Sequence, residues 1–334
     1  MITNYINTLL GLCLLLITTS SMQAIAPKQT KEKTIKASYQ VKFKDLLDLD
    51  NRYGNISITN HVGSSVEVEV TVKAWDGTAK RAQETLDRIS IEREQNGRKV
   101  TLKTHIQEDG GKDRIINTSR GFSINYRIKM PEQMHLELEN KFGNVQLARV
   151  LGEVDLEVKH GNLETKMLGE GEVEVKFGNV SIEGFQKTAS VKVKHGNLEI
   201  GQASQLQINQ SHGNCQLGMV DHLEGEVKHG NTNIKQVAKV LKWENEFGNF
   251  NLKQMGDNFD KVRLEVKHGH ASLDFGESSK FGLAARTEHG SIQHNIKNIT
   301  VDKERFEHTA HGTVNGGGKA SVDIAVEFGN INLY

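Results

Sequence analysis

Apolar and polar residues alternate along most of this chain, and a short turn signal interrupts the alternation at nearly fixed intervals. Val66-Glu67-Val68-Glu69-Val70-Thr71-Val72 and Leu156-Glu157-Val158-Lys159 put every second side chain on one face. That pattern predicts β-strands with one buried face. One stretch departs from it: Ala79, Ala82, Leu86 and Ile89 recur at helical spacing and predict an amphipathic helix of about three turns. Residues 89–94 and 99–103 flank Asn96-Gly97, a two-residue hairpin signal. Residues 122–130 and 135–138 read as strands around Pro131, and the polar run 107–120 reads as a loop.

The interruption is a motif, Lys-His/Phe-Gly-Asn-Leu/Val-x-Ile/Leu, seen at Lys159-His160-Gly161-Asn162-Leu163 and Lys194-His195-Gly196-Asn197-Leu198. An early copy ends in Tyr53-Gly54-Asn55-Ile56-Ser57-Ile58. From Gly143 onward the motif glycines are spaced by 18, 17, 18, 17, 17, 18, 21, 21, 22 and 17 residues. Such a period is the signature of a repeat architecture, and the alternation makes each unit β rather than helical. At about 3.3 Å per residue, 17 residues go once around a compact cross-section, and parallel turns stack about 4.8 Å apart. Parallel connections are right-handed by strong preference. The expected fold is all-β, a right-handed parallel β-solenoid of about eleven coils of 17–22 residues, preceded by strands, a hairpin and one short helix. The chain divides as a signal peptide (1–24), a flexible leader (25–37), an N-terminal strand and helix section that starts the solenoid (38–135) and the repeat array (136–334).

Counting the motif glycine as zero, positions −5 and −3 are often apolar, and −1 shares their parity, so its ring is expected to face the interior. That position holds Tyr53, Phe142, His160, Phe177, His195, His212, His229, Phe247, His268, His289, His311 and Phe328. Positions +2 and +4 are again mostly apolar, so the inward register shifts across Gly-Asn. A corner or bulge does this, with glycine supplying the backbone freedom. Nine of the twelve copies carry Asn at +1. Asn144, Asn162, Asn179, Asn197, Asn214, Asn231 and Asn249 are expected to form a stacked ladder. It should be interrupted where His270, Ser291 and Thr313 replace Asn.

Lys+Arg and Asp+Glu are equal at 42 each, so charge nominates no nucleic-acid partner. Leu9–Ile17 is an apolar run too short to span a bilayer, and Ser20-Ser21-Met22-Gln23-Ala24 fits a small-residue cleavage region. Leu12 before Cys13 does not fit a lipoprotein signal. Removal of the signal leaves one cysteine, Cys215, and no intramolecular disulfide. Cys215, at an inward +2 position, and Trp75 and Trp243 read as packing residues, with a ligand role for Trp75 left open.

The candidate chemistry is narrow. His195, His212 and His229 occupy −1 of three successive coils, about 5 Å apart if in register, and are the candidate metal ligands for Zn²⁺ or Cu²⁺. Phe142, Phe177 and Phe247 fill the same slot and bind no metal, which favours ring stacking as its purpose. Asp is sparse in the array, and Glu mostly alternates opposite Lys on a solvated face, so no catalytic residue set and no cofactor is expected.

The apolar start, the alternating strands, Arg127-Ile128-Lys129-Met130-Pro131 with His135-Leu136-Glu137-Leu138, and the Gly-Asn-Val/Leu coils resemble the bacterial putative-adhesin family of β-solenoid domains over roughly residues 38–334. The resemblance implies a cell-surface or periplasmic protein and no catalytic residues. The leading expectation is an exported, non-enzymatic solenoid that presents an extended surface to a protein or glycan. The alternatives are a metal- or pH-responsive envelope protein using the His ladder and a polysaccharide-active enzyme. The chain stops within a motif copy, Glu327-Phe328-Gly329-Asn330-Ile331-Asn332-Leu333-Tyr334. The C-terminal edge coil should therefore be covered by a late loop or pair with a partner, including by self-association.

Overall fold

The computed structural model describes residues 28–107 and 120–334, so the signal-peptide region, Cys13 and nearly all of the 107–120 loop lie outside the described residues. The described chain is all-β with one helix. The strands of the array pair in parallel, each about one motif period from its neighbour. Leu163–Lys176 pairs on one side with Val145–Lys159, through Leu163↔Val145 and Val175↔Val158, and on the other with Val180–Phe185 and Thr188–His195. The same pairing continues through Leu198–His212, Cys215–His229 and Thr232–Phe247. The motif lies at the corner where each coil turns from one sheet face to the next.

The core follows the alternation. Leu156, Val158, Leu163, Val173, Val175, Val180, Ile182, Val191 and Val193 are all buried. Cys215 is fully buried at +2, and burial pushes its thiol above the usual range. Trp243 is buried too, with Gly225 of the preceding coil leaving room for its ring.

The N-terminal section contains the expected helix, Ala79–Asp87, capped by Thr78, whose side chain accepts from the Arg81 N–H. Its buried residues are Ala82 and Leu86. The strands Ile89–Asn96 and Lys99–Ile106 form the hairpin, with Gly97 at φ +57. Residues 29–37, expected as a flexible leader, instead belong to the strand Gln29–Gln40, paired antiparallel with Ser65–Asp76 along its whole length. Backbone pairing outweighs its polar composition. Ile35, Ala37 and Tyr39 pack on the core, and Lys36–Glu69 and Lys73–Glu32 bridge the two strands. Lys33 donates to the carbonyls of Leu86 and Ile89, satisfying acceptors at the helix C-terminus.

Both ends of the stack depart from sequence order. At one end, Leu46–Arg52 lies between Lys99–Ile106 and His135–Lys141, while Ile56–Asn60 lies between Gly121–Met130 and Val145–Lys159. At the other, Ala320–Phe328 lies between Lys261–His268 and Phe281–Glu288, and Ile331–Leu333 lies between Ala271–Phe275 and Ile292–His294. The C-terminal coil is therefore an internal coil and offers no terminal edge, because the preceding segment leaves a coil-wide gap that the chain end fills. Beyond it, Glu307–Val314 pairs antiparallel with Phe281–Glu288, and Ile299–Lys303 pairs antiparallel with Glu307–Val314. His311 and Thr313, read from sequence as part of a motif copy, belong to this antiparallel cover.

Candidate functional site

The corner is built by three rows of side chains. Each motif glycine sits directly over the glycine of the neighbouring coil: a Cβ on Gly161, Gly178 or Gly196 would overlap the carbonyl oxygen of Gly143, Gly161 or Gly178 respectively. Two backbone solutions make the turn. At Tyr53, Phe142, His160, Phe177 and His289 the ring residue itself takes a left-handed φ of 53 to 62°. At Gly196, Gly213, Gly230, Gly248, Gly269 and Gly329 the glycine takes φ 122 to 157°. Either way the chain reverses its inward register at the ring.

That reversal turns the rings outward, contrary to the parity expectation. Phe142, Phe177, Phe247 and Phe328 are 47, 52, 41 and 43 % exposed. His160, His195, His212, His229, His268 and His289 are exposed as well. Strict alternation extrapolates through an ordinary strand, and the left-handed residue breaks it.

The outward rings form one stack. Its spatial order is Tyr53, Phe142, His160, Phe177, His195, His212, His229, Phe247, His268, Phe328, His289, with successive centroids 4.7–5.1 Å apart. Phe122 closes one end edge-on to Tyr53, and Phe306 packs at the other against His289. The spacing is that of adjacent strands, so backbone pairing imposes it.

The second row is the amide ladder. The backbone N–H of each +1 residue donates to the side-chain oxygen of the previous one, from Asn144 to Asn55, Asn162 to Asn144, Asn179 to Asn162, Asn197 to Asn179, Asn214 to Asn197, Asn231 to Asn214 and Asn249 to Asn231, at 2.8–3.1 Å. The expected interruption does not occur. The His270 N–H donates to Asn249, His270 Nδ1 accepts from the Asn330 N–H, and Ser291 donates both its N–H and hydroxyl to Asn330 Oδ1. An imidazole nitrogen is an acceptor placed like an amide oxygen.

A third row escaped the sequence reading because it breaks the apolar rule. Position −3 holds buried Asn51, Asn140, Gln210, Asn245 and Thr287 among its valines. Asn140 Nδ2 donates to the carbonyls of Gly54 and Gly143, Asn245 Nδ2 to those of Gly230 and Gly248, and Thr287 Oγ1 to that of Gly329. These groups hold the corner carbonyls from inside. Polar residues at a nominal core position were the available signal.

His195, His212 and His229 do come together, as stacked rings 4.7 Å apart inclined by 18° and 20°. Ring nitrogens bind metal along lone pairs in the ring plane. In a near-parallel stack these point side by side, whereas two nitrogens on one zinc must converge at about 2.0–2.1 Å each. The stack therefore explains these histidines as ring neighbours and not as a convergent ligand set.

Beside the corner runs a charged face. Lys141, Lys159 and Lys176 alternate with Glu139, Glu157 and Glu174 in a ladder of contacts of 2.6–3.4 Å. The Lys141 ammonium, bonded to Glu139, holds that carboxyl below its usual range. One row further out, Asp48, Glu137, Asp155 and Glu172 stand in register on neighbouring strands. Partial burial, then the charges of Glu172, Glu137 and Glu157, push the Asp155 carboxyl up. Sequence spacing had left Asp155 scattered; the register puts it in a row.

A family model described as Toastrack DUF4097 matches residues 53–334. No curated protein matches the chain. Among solved structures, the chain is similar to a putative adhesin from Parabacteroides merdae (10 % identity, 90 % of this chain and 96 % of that one, TM-score 0.38) and a putative adhesin from Bacteroides fragilis (12 %, 90 % and 97 %, 0.37). It is also similar to a putative lipid binding protein from Parabacteroides distasonis (10 %, 90 % and 96 %, 0.36). At these scores the family assignment rests on the sequence match.

Proposed function

Because this chain belongs to the Toastrack DUF4097 family, we propose that it is an exported, non-enzymatic β-solenoid of the adhesin type, presenting an extended surface to a protein or glycan at the cell envelope. The observation that carries the reading is the exposed ring stack, a repeating surface on a corner tied down by the amide ladder and the buried −3 groups. Aromatic rings on a rigid backbone give contact area at little cost in conformational entropy. One ring per coil makes eleven coils, and parallel crossovers favour the right hand. The apolar run at residues 9–17 supports export.

The test is binding of the purified protein to glycan arrays and to intact cells, with Phe177→Ala and Phe247→Ala as corner variants. Both rings are about half exposed, so the variants should fold. Binding that falls at least tenfold in the variants is the expected result. No binding by the wild type, or equal binding by the variants, removes the corner as an interaction surface.

A further inference from the structure

We propose that the ring corner is the contact between two copies of this chain, docked corner to corner and antiparallel about a twofold axis through His212. This rests on the reading of the corner as an interaction surface and names its occupant.

The first observation is the order of the rings. From Phe142 to Phe328 the stack runs Phe142, His160, Phe177, His195, His212, His229, Phe247, His268, Phe328, which is the same order of Phe and His from either end. An isologous interface needs a self-complementary surface. Rotation about His212 sets Phe142 against the partner's Phe328, Phe177 against the partner's Phe247, and His against His at the steps between. The four phenylalanines thus meet phenylalanines, and the five histidines between them meet histidines.

The second observation is charge. The −2 row flanks the rings and, in the same spatial order, reads Arg52, Lys141, Lys159, Lys176, Lys194, Ser211, Lys228, Glu246, Lys267, Glu327, Glu288. A twofold axis perpendicular to the stack, with the two corners facing, sets this row against its own reverse. Arg52 then meets the partner's Glu288, while Lys141 and Lys176, each also held by a carboxylate of its own chain, meet the partner's Glu327 and the partner's Glu246. Within one chain Glu288 and Glu327 make no ion pair among the described residues, and Glu246 reaches Lys267 through its charge without an ion-pair contact. Of the two like-charged pairs, Lys159 opposite Lys267 joins lysines already paired to Glu157 and Glu244 in their own chains. In the other, Lys194, which lies 4.0 Å from Glu174 of its own chain, faces the partner's Lys228. A parallel pair, with the axis along the stack, would face this row with the amide ladder and leave the three carboxylates unmatched. Charge therefore selects the antiparallel arrangement.

Size agrees. Eleven rings at about 4.8 Å span roughly 50 Å, and with flanks about 12 Å wide each copy would bury on the order of 600 Å², near the lower end of standard interfaces.

The experiment uses the full chain carrying Cys13→Ser, so that buried Cys215 is the remaining native thiol. Sedimentation should show a dimer at about 50 μM, and Glu246→Lys with Glu327→Lys should raise its dissociation constant at least tenfold, with an unchanged circular dichroism spectrum. Ser211 lies on the axis, so Ser211→Cys should form a disulfide-linked dimer on mild oxidation. Lys141→Cys alone should not, and should cross-link when mixed with a Glu327→Cys chain. A wild type that stays monomeric at about 100 μM overturns the proposal, as does a dimer in which Ser211→Cys fails to cross-link. A monomer that still binds glycan or cells through the corner overturns self-pairing while leaving the interaction reading intact.

Discussion

Gly178→Ala tests the close stacking of the corner most directly. Gly178 has no left-handed φ, so the substitution adds no conformational strain of the kind present at Gly196. Its cost is steric: the new Cβ would overlap the Gly161 carbonyl, a backbone group that cannot rotate away. The two coils must separate locally by on the order of 1 Å, against a normal spacing of about 4.8 Å. That separation stretches bonds on both sides of the corner, among them Asn179 N–H to Asn162 Oδ1 at 2.8 Å and His160 N–H to the Lys176 carbonyl at 2.8 Å. Each is worth about 1 kcal/mol net, and overpacking against the backbone costs about 1–3 kcal/mol more. A loss of about 3–5 kcal/mol is expected. Gly282→Ala is the matched control, with open space around its Cβ in a strand, and should be neutral or stabilising by up to about 1 kcal/mol. Denaturant unfolding of the two variants beside wild type measures both effects, with amide exchange locating the loosened coils. If Gly178→Ala unfolds at the same midpoint as Gly282→Ala, the coils are not held in close contact at the corner and the steric reasoning is wrong.

Four further expectations concern individual side chains. His270→Ala removes the acceptor for the Asn330 N–H and should cost about 1 kcal/mol, whereas His270→Asn restores an acceptor and should recover most of it in the same unfolding assay. Asp155 has a carboxyl pushed above its usual range, so its contribution is present below the unfolded value near 3.9 and is lost as pH rises through the folded one; Asp155→Asn should therefore raise the melting temperature at pH 7 and leave it unchanged at pH 3. Glu139 is shifted down and contributes in the opposite window, so Glu139→Gln should lower the melting temperature at pH 7 and lose that effect as pH falls through its folded value. Gly225→Ala places a Cβ 2.5 Å from the Ile208 carbonyl oxygen and 3.0 Å from Trp243 Cζ3 and should cost about 1–3 kcal/mol, of which Trp243→Leu in the same chain should remove only the ring's share in a double-mutant cycle.

What could be read from the sequence was what depends on period alone. Alternation identified the strands, and the spacing of Ala79, Ala82, Leu86 and Ile89 identified the helix, although Ala82 and Leu86 form its buried face, Ala79 is exposed and Ile89 opens the next strand. The regular return of Gly-Asn identified a corner with stacked amides. The failures lie where a local conformation or a distant partner decides. Parity alone puts the −1 rings inward, and the left-handed backbone at Phe142 and Phe177 reverses it. The polar strand Gln29–Gln40 was invisible because its stability comes from pairing with Ser65–Asp76 and not from its own composition. His270 departs from the ladder in residue type but not in hydrogen-bonding capacity, since its Nδ1 accepts the Asn330 N–H.

The order of coils at the two ends bears on where interactions can occur. A solenoid that simply stopped would present its last coil as an open edge, the surface most prone to pairing with another chain. Here Leu46–Arg52 and Ala320–Phe328 are both held between strands from elsewhere in the chain, and the antiparallel pair Ile299–Lys303 and Glu307–Val314 lies outside the C-terminal coil. The opposite end carries Gln29–Gln40, whose exposed Lys31 and Lys36 blunt it against strand addition. Axial growth is therefore disfavoured at both ends by the way the chain is threaded. The corner differs: its backbone groups are already paired, so what it offers a partner is side chains alone, exposed rings repeated at the strand spacing and flanked by charge that changes sign along the stack. Such a surface can be matched in register only by a partner with the same repeat, and another copy of this chain has it by construction.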